Sequence, residues 1–194
     1  KSLTVLHAKN CVFAASVLAA LPATVTSLVV KFLDEERIEQ LPSGLRTLEV
    51  LNLWLTASSV KKFPKSLEHL TAALAPYHSA KESLLQPPTG SISQFLLQVA
   101  PSEDAYAHVA DELVKELGTG DCFFPTSLKS IMINGGYEQL GDSWLQAFRG
   151  DTMESFCCAL PMATNACFKY LSRKLRRLDL LNTPNITGEA FADL

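Results

Sequence analysis

The chain of 194 residues lacks a long apolar run, and no membrane-spanning helix is predicted. Its longest strongly apolar stretch, from Cys11 to Leu21, has about half the length that a bilayer-spanning helix needs, and Pro22 follows it. The chain also has no large net charge, because its 17 Lys and Arg residues nearly balance its 20 Asp and Glu residues. This balance provides no general attraction to nucleic acid or to an anionic membrane. With 47% hydrophobic residues, the composition predicts a soluble folded protein with a substantial core and no membrane insertion.

The chain has five cysteines, an odd number, and they lack the regular pairing of a disulfide framework. This usage favours a reducing compartment, so we predict an intracellular protein. CxxC motifs and matching histidine pairs are missing, which argues against zinc. The Gly118-Thr119-Gly120 stretch lacks the Lys-Ser/Thr of a phosphate-binding loop. The sequence therefore predicts no cofactor, no metal site and no catalytic residues, and hence a protein that is not an enzyme.

One short pattern occurs four times: an apolar residue, Pro, two small or polar residues, an apolar residue, two variable residues and an apolar residue. The copies begin at Leu21, Leu41, Phe63 and Phe124. Extended forward, each copy predicts a strand with apolar residues at relative positions one, four and six, and four further segments fit more loosely. The eight triplets are Leu3/Leu6/Ala8, Val25/Leu28/Val30, Leu45/Leu48/Val50, Leu67/Leu70/Ala72, Ile92/Phe95/Leu97, Leu128/Ile131/Ile133, Met153/Phe156/Cys158 and Leu175/Leu178/Leu180.

The spacing of these triplets predicts a repeat protein. Six of the seven intervals between their first residues measure 20 to 25 residues, and a period of this length indicates stacked supersecondary units. The remaining interval of 36 residues contains apolar residues at helical spacing, followed by Gly118 as a helix stop. We interpret residues 103–118 as a longer helical insertion. Short helices or turns are predicted at Val12–Ala20, Tyr137–Phe148 and Gly188–Leu194.

These triplets resemble the strands of the leucine-rich-repeat superfamily over nearly the whole chain. Residues 174–194 look like the strand, loop and helix of the ribonuclease-inhibitor and F-box subtypes, whereas Leu41–Val50 is similar to the Leu-Pro repeats of bacterial effectors. The resemblance implies an α/β fold: one leucine-rich-repeat solenoid of about eight repeats over residues 1–194. Its curved parallel sheet would form the concave face, and short helices and turns the convex face. We also expect the chain to be part of a longer one.

The resemblance further implies a concave binding surface without chemistry of its own. Recognition would use position five, between the apolar positions four and six of each strand. The middle of this row is apolar and its ends are polar, an arrangement typical of a protein-binding patch. The predicted partner-binding residues are His7, Val29, Glu49, Thr71, Leu96, Met132, Cys157 and Asp179, together with Arg177.

We therefore expect a non-catalytic protein-interaction or scaffold module, a structural or accessory subunit of a larger assembly. One alternative is the substrate-recognition domain of a ubiquitin-ligase-type adaptor or effector enzyme whose catalytic part lies outside this chain. Another is an RNA contact within a ribonucleoprotein through a concentrated basic cluster, although a solvated turn explains the same charges. The cluster consists of Lys169, Arg173, Lys174, Arg176 and Arg177.

Overall fold

The computed structural model describes residues 2–55, 57–74, 124–134, 141–146, 148 and 152–193. Over these residues the protein is an α/β structure, in which one seven-stranded sheet is combined with short helices. The strands are β1 (Val5–Ala8), β2 (Ser27–Leu33), β3 (Thr47–Leu53), β4 (His69–Leu74), β5 (Ser130–Asn134), β6 (Ser155–Ala159) and β7 (Arg177–Leu181). We call each strand, with the turn before it and the helical segment after it, a unit.

Every strand runs parallel to its neighbours, and the order across the sheet is the order along the chain. Residues at the same predicted position lie side by side. At position four, Leu28 pairs with Leu48 and Leu48 with Leu70. The same alignment continues through Ile131 and Phe156 to β7. The predicted parallel sheet and the register of these strands are thus confirmed.

The predicted strand order is wrong at one step. The prediction placed a strand with Leu96 between those of Thr71 and Met132, but β4 pairs directly with β5 and sets Thr71 beside Met132. These two residues are 61 positions apart in sequence, whereas position-five neighbours at the other steps are 20 to 25 positions apart. Leu96 and the predicted helical insertion 103–118 lie outside the described residues. The sheet is therefore continuous across one long step of chain.

The prolines of the repeated pattern lie in turns that lead into β2 to β5. In each turn the position-one residue donates its N–H to the carbonyl of the proline three positions earlier, as Val25 does to Pro22 at 3.0 Å. Ser172 takes the same place before β7, where it accepts from Leu175 at 3.1 Å. Because proline has a fixed φ and no N–H of its own, it favours such a turn and does not allow a helix to continue into the strand.

A second contact recurs at every step between units. The carbonyl of the position-two residue accepts the N–H groups of two consecutive residues of the next unit, as Thr26 does from Arg46 and Thr47 at 2.9 and 3.0 Å. All six strand pairs have this contact, with N···O distances of 2.7 to 3.2 Å. A slip of one residue would break these bonds and turn each apolar set to the opposite face. The contact therefore holds each unit in register with the next.

Short helical segments connect the strands. They are α1 (Ala15–Ala19), α2 (Glu35–Ile38), α3 (Ala57–Val60), α4 (Asp142–Leu145) and two 3₁₀ helices, Asn165–Tyr170 and Gly188–Asp193. Asp34 caps α2 by accepting the N–H of Arg37, and the Thr164 hydroxyl caps the first 3₁₀ helix through Ala166. The three predicted helical regions each contain one of these segments.

The core lies between one face of the sheet and the row of helical segments. In the units of β2 to β5, the residues at positions one, four and six are at most 2% exposed. Leu18, Ile38 and Val60 meet them from α1, α2 and α3. In the last unit, by contrast, Leu175 and Leu178 are only half-buried. Burial is complete only where a unit has a neighbour on both sides.

Aromatic rings fill the core where the step along the chain is longest. Phe63 and Phe124, in the turns before β4 and β5, stack with their ring centroids 6.0 Å apart. Phe124 also stacks on Phe148 at 4.7 Å and meets the Trp144 ring edge-on at 5.7 Å. These rings bury the large apolar area that joins the two parts of the sheet.

Gly44 occupies the point where the turn before β3 comes closest to the preceding unit. A Cβ at this residue would lie 2.7 Å from the carbonyl oxygen of Ala23, which cannot move without its backbone. We expect Gly44→Ala to lower the free energy of unfolding by about 1–3 kcal/mol, measured by urea denaturation. Gly188→Ala is the matched control, since its Cβ meets nothing within 4 Å, and it should change this free energy by less than about 0.5 kcal/mol. Equal effects of the two substitutions would contradict the close approach.

Candidate interaction surface

The sheet face opposite the core has a continuous row of position-five side chains. Successive side chains of a strand alternate between its two faces, so the buried positions four and six leave positions three and five on the other face. The strand pairs place the row in line from β1 to β7. In order, its members are His7, Val29, Glu49, Thr71, Met132, Cys157 and Asp179. We call this row, together with the position-three residues beside it, the strand face.

The position-three row is mostly small and polar. It consists of Val5, Ser27, Thr47, His69, Ser130, Ser155 and Arg177. Arg177 is exposed, as predicted, and its Nε donates to Asp179 Oδ2 at 2.7 Å. Hydroxyl, imidazole and guanidinium groups supply donors and acceptors along this row. The strand face therefore has a hydrogen-bonding surface beside the row that the sequence singled out.

Val29 is less accessible than predicted. Only 4% of its surface is exposed. Lys9, just after β1, forms an ion pair with Glu49 of β3 at 2.9 Å, and this pair bridges β2, the strand that contains Val29. Val29 therefore supports the strand face without offering much contact area itself.

Cys157, which the sequence predicted as a partner-binding residue of this row, is also buried, with 7% of its surface exposed. It lies between Met132 and Asp179 on the neighbouring strands, and both have longer side chains than cysteine. Burial raises the pKa of its thiol, and the negative charge of Asp179 raises it further. Because Met132 is half-buried and Cys157 is buried, the described part of the row has less exposed apolar surface than predicted.

A row of charges at position two was missed from the sequence. It consists of Arg46, Glu68, Lys129, Glu154 and Arg176, each directly before one of the strands β3 to β7, and the sign alternates at each step. Glu68 contacts Arg46 at 3.6 Å and Lys129 at 2.8 Å. The Lys129 ammonium, which donates to Glu68, holds the pKa of this carboxyl below its ordinary value. Aligning the predicted strands by position would have found this alternation.

Four of the five residues of the predicted basic cluster line a cavity of about 880 Å³ in the last unit, and Lys174 does not. Lys169, Arg173, Arg176 and Arg177 line it together with the apolar side chains of Leu175 and Leu178. Lys169 lies over the Tyr170 ring, with Nζ 4.7 Å from its centroid. The side chains of Arg173 and Arg176 are exposed and form no ion pair with the described residues. This cavity therefore combines an apolar wall with cationic side chains and with the carboxylate of Glu189.

In the part of the chain that the structure describes, no three His, Cys, Asp or Glu side chains are grouped to hold a metal ion. No helix described there has the length and apolar character needed to cross a membrane. Comparison of the chain with protein-family models, curated proteins and solved structures found no match. Candidate functions are therefore inferred from the residues of this chain alone.

Burial predicts a wide range of thiol reactivity. Cys11 is exposed, whereas burial raises the pKa of Cys158 to about 12 and that of Cys167 to about 11. Since the thiolate is the form that reacts, iodoacetamide at mildly alkaline pH should label Cys11 at least about 100-fold faster than Cys158. Peptide mass spectrometry after timed labelling measures the rates. In concentrated urea the difference should disappear; similar rates in the folded protein would contradict the assigned burial.

Proposed function

We propose that this protein is a leucine-rich-repeat solenoid that binds a partner protein through the strand face and has no catalytic activity of its own. Its role would be that of a scaffold or accessory subunit in a larger assembly. The observation that carries this proposal is the continuous row from His7 to Asp179, aligned across seven parallel strands on the face away from the core. The repeated turns and the two-donor contact between units support the assignment to this repeat class.

The strand face has the properties that a protein partner requires. Backbone groups hold the strands in register, so the face is formed before binding and little conformational entropy is lost when a partner docks. Acceptors and donors from Glu49, Thr71 and His69 lie near its centre, and the Arg177–Asp179 pair lies at one end. A mixed polar surface with half-buried side chains such as Met132 is typical of interfaces between separately folded proteins.

The same surface would serve the substrate-recognition domain of a ubiquitin-ligase-type adaptor or effector enzyme. In that case the partner would be a substrate, and the chemistry would lie in another chain or domain. Both versions make the strand face the recognition surface, so one experiment tests the part that they share. The identity of the captured protein then separates a stable assembly from a substrate.

Charged substitutions in the middle of the strand face test the proposal. We expect Met132→Asp and Thr71→Arg each to reduce partner capture at least about tenfold, because a complementary surface does not tolerate an unpaired charge. The measurement is affinity purification from cells with quantitative mass spectrometry, on variants whose fold is verified by circular dichroism and thermal unfolding.

Glu36→Arg provides the matched control, because Glu36 is an exposed residue of α2 that faces away from the sheet. This variant should capture the same proteins as the unmodified chain. Unchanged capture by both folded strand-face variants would contradict the proposal. Unfolding of both would show that these residues belong to the core, and would contradict it as well.

A further inference from the structure

A third row of side chains, at position seven, lies on the same side of the sheet as the strand face. Side chains alternate along a strand, so position seven points the same way as positions three and five. The row consists of Lys9, Lys31, Leu51, Ala73, Asn134, Ala159 and Leu181. It extends the strand face toward the carboxyl ends of the strands.

Lys31 is the one charged side chain in these three rows that has no ionic partner among the described residues. The rows contain five Lys, Arg, Asp or Glu side chains, and four of them form two ion pairs. Lys9 pairs with Glu49 at 2.9 Å, and Arg177 pairs with Asp179 at 2.7 Å. The first pair bridges β2, the strand of Lys31, without using its ammonium. That ammonium is therefore available to an anion from outside the sheet.

An exposed leucine lies directly beside Lys31. Leu51 is on β3, and the register of β2 and β3 places it next to Lys31. It is 39% exposed although β3 has a strand on each side. Val5 and Leu181, the other exposed large apolar side chains of the three rows, lie on the outermost described strands. The exposure of Leu51 is therefore a property of the inner sheet and not of where the sheet ends.

A cation beside an exposed apolar side chain selects a particular kind of ligand. Neighbouring strands lie about 4.8 Å apart, so one short segment of a partner can contact Lys31 and Leu51 together. Because Lys31 is half-buried, a carboxylate bound to it would be partly shielded from water, which strengthens an ion pair. An apolar side chain next to that carboxylate would cover the leucine.

We propose that the partner protein of the strand face presents an acidic residue next to an apolar one, with its carboxylate bound to Lys31 and its apolar side chain packed against Leu51. This contact rests on the function proposed for the strand face and gives the chemistry by which the partner is recognised. Since both residues lie toward the β1 end of the sheet, the contact would also fix which way round the partner lies along the row.

Two other occupants fit these residues less well. A nucleic acid gains affinity by neutralising several phosphates with unpaired cations, whereas here a single unpaired cation lies near the carboxylate of Glu49. A second copy of the chain, docked by the same three rows, would bring another Lys31 and carboxylates that are already paired. A separate protein with an exposed carboxylate satisfies the charge and the apolar side chain together.

Carbodiimide cross-linking tests the proposed contact directly, because it joins a lysine amine to a carboxylate only where the two groups touch. The whole 194-residue chain, carrying an affinity tag, captures proteins from cell extract. The complexes are then treated with the carbodiimide and analysed by peptide mass spectrometry. We expect Lys31 to be joined to an Asp or Glu of a captured protein, with an apolar residue next to that Asp or Glu.

Substitutions measure how much the contact contributes. We expect Lys31→Glu to reduce capture of the cross-linked protein at least about tenfold, because the two carboxylates repel each other. Leu51→Ser should reduce it about threefold to tenfold through lost apolar burial. Lys31→Arg should keep the capture but lose the cross-link, since a guanidinium keeps the charge and does not form the amide.

Lys61→Glu is the matched control, because Lys61 is exposed in the turn before β4 and lies outside the three rows. This variant should capture the cross-linked protein as the unmodified chain does. Circular dichroism and thermal unfolding verify the fold of every variant.

The outcomes separate this contact from the function proposed for the strand face. If Met132→Asp lowers capture and Lys31→Glu does not, the strand face remains the binding surface and the acidic contact is wrong. If neither lowers it, both are wrong. The absence of any cross-link at Lys31 to a captured protein would also overturn the contact.

Three further results would assign Lys31 to a different anion. A cross-link within one chain would assign it to a carboxylate of the chain itself. A cross-link between chains in a mixture of isotope-labelled and unlabelled protein would assign it to a second copy. Loss of capture after nuclease treatment would assign it to nucleic acid. Each of these results would overturn the proposed acidic partner.

Discussion

Each unit buries its apolar side chains against its neighbours, and the rest of the structure depends on this. A fully buried leucine or valine contributes roughly 1.5–3 kcal/mol, and the central units supply three such positions each, as Leu45, Leu48 and Val50 show. Since one unit cannot enclose them, stability is a sum over the contacts between neighbouring units. Leu175 and Leu178, in the unit with a described neighbour on one side only, are half-buried by comparison.

Register connects this packing to the surfaces available for binding. The two-donor contact at position two contributes about 1 kcal/mol for each hydrogen bond, which is modest, but a shift of one residue would lose these bonds and the buried face together. Keeping Leu28 beside Leu48 in the core necessarily keeps Val29 beside Glu49 on the opposite face. The strand face and the charged row at position two are thus both consequences of how the core is aligned.

Much of this arrangement follows from the sequence, because apolar residues at positions one, four and six identify both the strands and their inward side. The triplet that contains Leu96 has the same spacing and was therefore predicted as a strand between β4 and β5. In the structure β4 pairs directly with β5, because the packing between units decides which strands pair, and here Phe63 packs on Phe124. The ion pair between Lys9 and Glu49 could not be predicted either, since it forms between residues of the β1 and β3 units that are separated by the whole of β2. By contrast, the alternating charges of Arg46, Glu68 and Lys129 can be predicted from the sequence once the strands are aligned by position.

The direct pairing of β4 with β5 has a consequence for how the protein folds. Closing a step of 61 residues instead of 22 costs only about 0.9 kcal/mol more in chain entropy, less than the burial of one leucine contributes. The kinetic effect is larger, because contacts between residues far apart in sequence form late. The four strands before this step and the three after it are each joined by short connections, so each group can nucleate separately. We therefore expect their docking, through the rings of Phe63 and Phe124, to be the step that sets the folding rate.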